Sequence, residues 1–195
     1  MQTQGEAMAA KPTENYFLRD IKTLREQAAK SLNDGAVTVD YPDVKKSIEL
    51  LQTALATEIV CVLRYTMHSI SVAGLSSKSV AEEFAEHAKE ERGHMLKIAQ
   101  RIDELGGDPN FSPDGLSSRS ASEYGNGGTL VDMLKQNLVA ERIAIEHYRD
   151  LIKYFHDRDP TTRLLMEEIL TNEEEHAADM HDLLVSHEGE PMLSK

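Results

Sequence analysis

Apolar residues recur every three or four positions over long stretches of the chain, while strict alternation of β-branched residues is nearly absent, the nearest case being 36–41. This pattern predicts an all-α protein. A first amphipathic segment at about 14–32 carries Phe17, Ile21, Leu24 and Ala28 on one face and stops at Asn33, Asp34 and Gly35. After a short connector with Pro42, a long helix is expected at about 43–73, where Ile48, Leu51, Leu55, Ile59, Val62 and Met67 keep the helical period. Gly74 ends it, and Ser76 to Ser79 followed by Glu82 and Glu83 mark the start of the next, which runs to about Leu105 before Gly106 and Gly107. Thr129 opens a third long helix that reaches about His156. Asp159 and Pro160 supply an N-cap and a first-turn proline for a fourth, ending near His187.

The connections then set the topology. The first and second long helices, and likewise the third and fourth, are joined by tight turns, so each pair is antiparallel. Between the pairs, residues 106–128 are rich in Gly, Pro, Ser and Asn. A helix of about 28 residues is roughly 42 Å long, and about 20 residues of extended chain span more than that, so this crossover can return the chain to the starting end. The expectation is a four-helix bundle with one long crossover, its halves related by an approximate twofold axis. Three parts are expected: an N-terminal extension with an accessory amphipathic helix (1–42), the bundle (43–188) and a tail (189–195).

Composition narrows the class. With 195 residues, 40% hydrophobic and 28% charged, the chain suits one globular domain. No run of about 18 apolar residues and no apolar leader is visible, which points to a cytoplasmic protein with no membrane association. The formal net charge of −13 argues against nucleic acid as a partner. Lone Cys61 rules out an internal disulfide or a thiolate-rich zinc site, and reads as a buried small side chain one turn from Glu58.

The chemistry lies in a repeated motif. Glu-x-x-His occurs at Glu91 with His94 and at Glu173 with His176, a spacing that puts both side chains on one helix face. With 21 Glu and 8 His in the chain, about one such pair is expected by chance, so the pairs alone say little. A third element repeats with them: Glu58 precedes Glu91 by 33 residues and Glu141 precedes Glu173 by 32, which places each lone Glu at the depth of the facing pair. Tyr65 and Tyr148 each follow their Glu by seven residues, on the same face. Glu58 sits in LATEIVCVL and Glu141 in LVAERIAI, so both point among aliphatic side chains. Four buried, unpartnered carboxylates would each cost several kcal/mol. Two divalent cations balance the four charges of Glu58, Glu91, Glu141 and Glu173, with His94 and His176 completing the shell. Glu91 and Glu173 are expected to bridge both ions, and Glu58 and Glu141 to cap one each. Carboxylate with one imidazole per ion suits iron or manganese, and zinc also accepts such ligands. The remaining histidines, His68, His87, His147, His156, His181 and His187, are expected at the surface or its boundary. Glu86 and Glu90 extend an acidic face below Glu91.

The segments EIVCVLRY, EERGHMLKIAQRIDELGGDPN, AERIAIEHY and NEEEHAADM resemble, in order, the four helix motifs of the ferritin-like superfamily, and within it bacterioferritin, over about 45–187. The resemblance implies a ferroxidase centre within one subunit at Glu58, Glu91, His94, Glu141, Glu173 and His176, with Tyr65 as a redox-active tyrosine beside it. The position that supplies a haem-binding Met in bacterioferritin is Arg92 here, so haem is not expected. No fifth helix follows the fourth, which favours a Dps-like homo-oligomeric shell, a dodecamer over a 24-mer. The N-terminal extension has no excess of Lys and Arg, unlike arms that bind DNA. The function implied is iron storage and detoxification, oxidising Fe(II) to Fe(III) with O2 or H2O2. A rubrerythrin-like peroxidase or manganese catalase without mineral storage is the alternative, and a metal-free interaction module is a third reading.

Overall fold

A computed structural model describes residues 20–33, 41–72 and 78–188. Among these the regular elements are helices: α1 (Ile21–Lys30), α2 (Val44–Ser71), α3 (Lys78–Glu104), α4 (Leu116–Arg119), α5 (Leu130–Phe155) and α6 (Pro160–Glu188). None is long and apolar enough to cross a membrane. The expected stops at Asp34, Gly35 and Gly74, the start at Ser76 and the tail at 189–195 lie outside the described residues.

α1 belongs to a compact unit of its own. Asp20 caps it by accepting from the Thr23 backbone N–H at 3.1 Å. It buries no residue, and Ile21 and Leu24 are exposed. The rest of the longer helix expected here, with Phe17, lies outside the described residues.

In the second unit α2 packs along α3 and α5 along α6, while α2 meets α5 and α3 meets α6. Residue order shows that each pair is antiparallel, since Leu51 and Leu55 share a cluster with Ile98 and Ile102, and Leu151 and Phe155 with Met166 and Ile169, whereas Tyr65 shares one with Val80 and Phe84, and Leu134 and Leu138 with Met180. Local sequence explains the helix ends. Gly106, at φ +82°, and Gly107 close α3 with paired backbone bonds, Gly106 N–H to Asp103 O at 2.8 Å and Gly107 N–H to Ile102 O at 2.9 Å. Thr129 and Asp132 form a reciprocal capping box at the start of α5. Asp159 caps α6 through the Thr162 N–H at 2.9 Å, with Pro160 in the first turn.

The crossover is pinned along α2 by side chains that α2 supplies. Gln52 donates to Asp108 O at 2.8 Å and accepts from Asn110 N–H at 3.0 Å. Further along, Thr57 Oγ1 accepts from Ala121 N–H at 2.9 Å, and Arg64 Nη1 donates to Glu123 O at 2.9 Å. The segment includes the single turn α4, which the composition of 106–128 did not foretell.

Two apolar clusters fill the bundle. One contains Leu51, Leu55, Ile98, Ile102, Leu151, Phe155, Met166 and Ile169, and the other Tyr65, Val80, Phe84, Leu134, Leu138 and Met180. Between them, on all four long helices, lies a layer of buried charged residues.

Candidate metal centre

Each long helix sends its polar side chains into that layer from positions where its apolar stripe is interrupted. α2 contributes Glu58, α3 Glu91 and His94, α5 Glu141, and α6 Glu173 and His176; all four carboxylates are fully buried, and the two imidazoles nearly so. The six converge. Donor atoms of Glu58, Glu91, His94 and Glu173 lie within 4.8 Å of one another, as do those of Glu91, Glu141, Glu173 and His176. Glu91 and Glu173 belong to both groups, Glu58 and Glu141 to one each.

Hydrogen bonds on the outer side fix both imidazoles. His94 Nε2 lies 3.2 Å from Asn172 Oδ1, and His176 Nε2 lies 2.8 Å from Glu90 Oε2. Facing acceptors, each Nε2 carries its hydrogen and each Nδ1 turns inward. His94 Nδ1 is 3.4 Å from Glu58 Oε2, 3.4 Å from Glu91 Oε2 and 3.1 Å from Glu173 Oε1, and His176 Nδ1 is 3.5 Å from Glu91 Oε1. Glu91 therefore directs one oxygen to each imidazole.

The inner atoms lack hydrogen-bond partners: Glu58 Oε2, Glu141 Oε2, both oxygens of Glu91 and Glu173, and Nδ1 of both histidines. Buried polar atoms are ordinarily satisfied, so this many orphans at one point call for a partner of positive charge. Two donors, each about 2.1 Å from a tetrahedral ion, lie about 3.4 Å apart, which is the spacing His94 shows to two of its carboxylates. The donor set fits a pair of divalent cations.

Without cations, protons hold the cluster together. Burial pushes the Glu58 carboxyl up to about 8, helped by the charge of Glu91, and raises Glu173 well above the usual range, again with Glu91 and Glu58 adding to it. Burial opposes protonation of the histidines, but contacts to carboxylates win. Glu173 and Glu58 raise His94, and Glu91 raises His176 to about 9. Glu91 goes the other way, because its charge contacts with His176 and His94 overcome its burial and hold it well below the carboxylate range.

Tyrosines hold the remaining carboxylate oxygens. Tyr65 of α2 donates to Glu141 Oε1, and Tyr148 of α5 donates to Glu58 Oε1. Behind Glu58, buried Arg64 does not pair with that carboxylate; it donates to Asn137 Oδ1 at 3.0 Å, to the Glu123 carbonyl and to Cys61 Sγ at 3.3 Å. Cys61 is buried, and burial pushes its thiol pKa up. Two of the histidines expected at the surface are instead buried, His68 and His87. Both lie on inward turns of their helices, in phase with Tyr65 and Glu91, a signal that helical spacing alone could have given. Sequence spacing gives no sign that Asn172 and Glu90 support the imidazoles, because only the distance across to the neighbouring helix distinguishes them from solvated polar residues.

A model of the ferritin-like domain matches residues 48–188. The DNA protection during starvation protein of Pyrococcus furiosus is 34% identical over 146 residues, 73% of this chain and 78% of its own. Bacterioferritin of Rhodobacter capsulatus is 30% identical over 132 residues, 67% of this chain and 78% of its own. Among solved structures, the dodecameric thioferritin of Bacteroides fragilis, described as a bacterioferritin-related protein, superimposes with a TM-score of 0.72 at 33% identity, covering 83% of this chain and 94% of that one. The matched span runs through all four helices that carry the converging side chains, and on that ground the chain belongs to the ferritin-like domain family.

Proposed function

We propose that the protein is a ferritin-type iron storage and detoxification protein with ferroxidase activity, in which two Fe(II) ions bind as substrates among Glu58, Glu91, His94, Glu141, Glu173 and His176. The observation that carries this reading is the set of unpartnered buried donor atoms, divisible into two groups that share Glu91 and Glu173. Shared carboxylates hold two ions close enough to deliver two electrons to one oxidant. With O2 the balance is two Fe(II), one O2 and two protons to two Fe(III) and one H2O2; with H2O2 it is two Fe(II), one H2O2 and two protons to two Fe(III) and two H2O. Iron or manganese suits the donors, and zinc serves as a probe that does not turn over.

Cation binding displaces the protons that Glu58, Glu173, His94 and His176 hold in the metal-free cluster. Buried apolar layers on both sides keep bulk water from the reacting ions. Tyr65, bonded to Glu141, is placed to supply the second electron when only one Fe(II) is bound: one Fe(II), one tyrosine, one H2O2 and one proton give one Fe(III), one tyrosyl radical and two H2O.

Storage requires a shell. The likeness to a dodecameric relative supports twelve copies, and exposed Leu63, Ile70, Val139 and Leu164 offer apolar surface that an assembly would cover. Residues 43–188 form the unit that assembles in this reading, in the cytoplasm, without haem. The net charge of −13 speaks against DNA as a ligand.

The test is ferrous oxidation followed by ferric absorbance after anaerobic loading. Glu91→Ala and His176→Ala are expected to abolish the rapid phase, and wild-type rates in folded samples of either variant would refute the assignment. Loading far beyond the few irons that the chain's own donor atoms can hold separates storage from a peroxidase that only turns over.

A further inference from the structure

We propose that Glu83 and His87 of α3 and Asp179 of α6 form a third divalent-cation site, set apart from the six-residue cluster at the solvent end of the α3–α6 seam. His87 is 2% exposed, yet its Nε2 faces two carboxylates that reach water: Glu83 Oε1 at 3.4 Å and Asp179 Oδ2 at 3.5 Å, with side chains about half exposed. One donor atom from each of the three lies within 4.8 Å of the others.

The spacing suits a cation shared by the three side chains. An imidazolium paired with a carboxylate closes to about 2.7–2.9 Å, and His176 with Glu90, one turn away, does so at 2.8 Å. His87 stands off from both carboxylates at the chord of about 3.4 Å expected between two ligands of one tetrahedral ion. His94 keeps the same 3.4 Å to Glu58 and Glu91 in the main cluster. The other ring nitrogen, His87 Nδ1, is buried with no hydrogen-bond partner, so hydrogen bonding does not account for the burial of this imidazole. One imidazole and two carboxylates suit a borderline divalent ion.

The site also connects inward. The ring of His87 stacks on that of His176 with centroids 4.1 Å apart, and His87, Glu90 and His176 form another group within ligand distance. Along α3, Glu83, His87, Glu91 and His94 follow at three- and four-residue steps, with Glu90 beside Glu91, so donors recur each turn from water to the cluster. A role for the third site in handing Fe(II) to the cluster rests on the ferroxidase reading; the binding itself does not.

Zn(II) is the probe, with the full chain. Crystals soaked in Zn(II) are expected to show an anomalous peak bonded to His87 Nε2, Glu83 and Asp179 besides those in the cluster. In calorimetric titration the Glu83→Gln/Asp179→Asn double variant, whose altered side chains are half exposed, is expected to take up one equivalent per chain fewer than wild type. A filled cluster with no density at His87, or equal stoichiometry in variant and wild type, overturns the proposal. An empty cluster instead counts against the ferroxidase reading, while the outer site is judged by its own peak.

Discussion

Tyr65 of α2 donates its phenolic hydrogen across the bundle to Glu141 of α5, 2.5 Å away. The reverse bond also exists, from Tyr148 of α5 to Glu58 of α2. Each non-shared carboxylate is thus held by a tyrosine of the opposing helix, seven residues beyond that helix's own glutamate. Burial and the adjoining carboxylate push both phenols well above their ordinary pKa, so both remain donors at all working pH values. One oxygen of each carboxylate is spent on the tyrosine, and the other is left facing the cation positions.

Removing either hydroxyl should loosen one cation. Tyr65→Phe and Tyr148→Phe are each expected to lower Zn(II) affinity of one equivalent about 10–100-fold, the usual cost of losing a bond that orients a ligand. If Tyr65 is the redox-active tyrosine of the ferroxidase reading, electron paramagnetic resonance during ferrous oxidation is expected to show a tyrosyl radical in wild type and in Tyr148→Phe and none in Tyr65→Phe. Unchanged affinity in both variants would show that the tyrosines do not orient the carboxylates.

Shared and non-shared carboxylates should fail differently. Glu173→Ala takes donors from both cation positions, and calorimetric titration should show both tight equivalents lost. Glu58→Ala takes donors from one, so about one equivalent should survive in the group of Glu91, Glu141, Glu173 and His176. Equal losses in the two variants would contradict the division of the cluster.

The four long helices and the convergence of six side chains were legible because the sequence states them twice, with Glu58 and Glu141 in matching phase to the two Glu-x-x-His pairs. Tyr148 was legible for the same reason. What the sequence concealed involves unrepeated contacts between helices. Asn172 and Glu90 each precede a shared glutamate by one residue, which sequence spacing assigns to a flank of the helix, and only the neighbouring histidine gives them a partner. His87 was expected near the surface, yet α6 covers it through His176. The turn α4 has no apolar period to announce it, being held by Arg119 bonds to the carbonyls of Asn110 and Ser112.

Proton-held and cation-held clusters should respond to pH in opposite ways. Glu58 keeps its proton to about 8 in the fold against an ordinary 4.5, so its stabilisation is complete below about 4.5 and is lost as pH rises toward 8. His176 behaves alike between 6.5 and about 9. Glu91, shifted downward, has already given its full contribution above 4.5. From pH 6.5 to 8 the metal-free protein should therefore lose stability steadily. Zn(II) replaces the protons, so the gap in Tm between loaded and metal-free protein should widen by about 5–10 °C from pH 6 to 8.5. A constant gap would mean that the cluster holds no such protons.

The strongest purely structural link is predicted at the junction of α3 and α6. Arg101 donates to both oxygens of Asp159 at 3.0 and 3.1 Å and to Thr162 Oγ1 at 2.8 Å, with both members of the ion pair buried. Asp159 at the same time caps α6 through the Thr162 N–H. Asp159→Ala leaves a buried guanidinium with only the more exposed Glu104 carboxylate, 3.1 Å from its Nη1, and a helix without its cap, so urea unfolding of the metal-free protein should show a loss of about 3 kcal/mol. Most of that loss comes from the stranded charge rather than from the value of the pair. Adding Arg101→Met to Asp159→Ala should accordingly recover stability instead of costing more, and a double variant less stable than Asp159→Ala alone would show that Arg101 contributes chiefly through its other contacts.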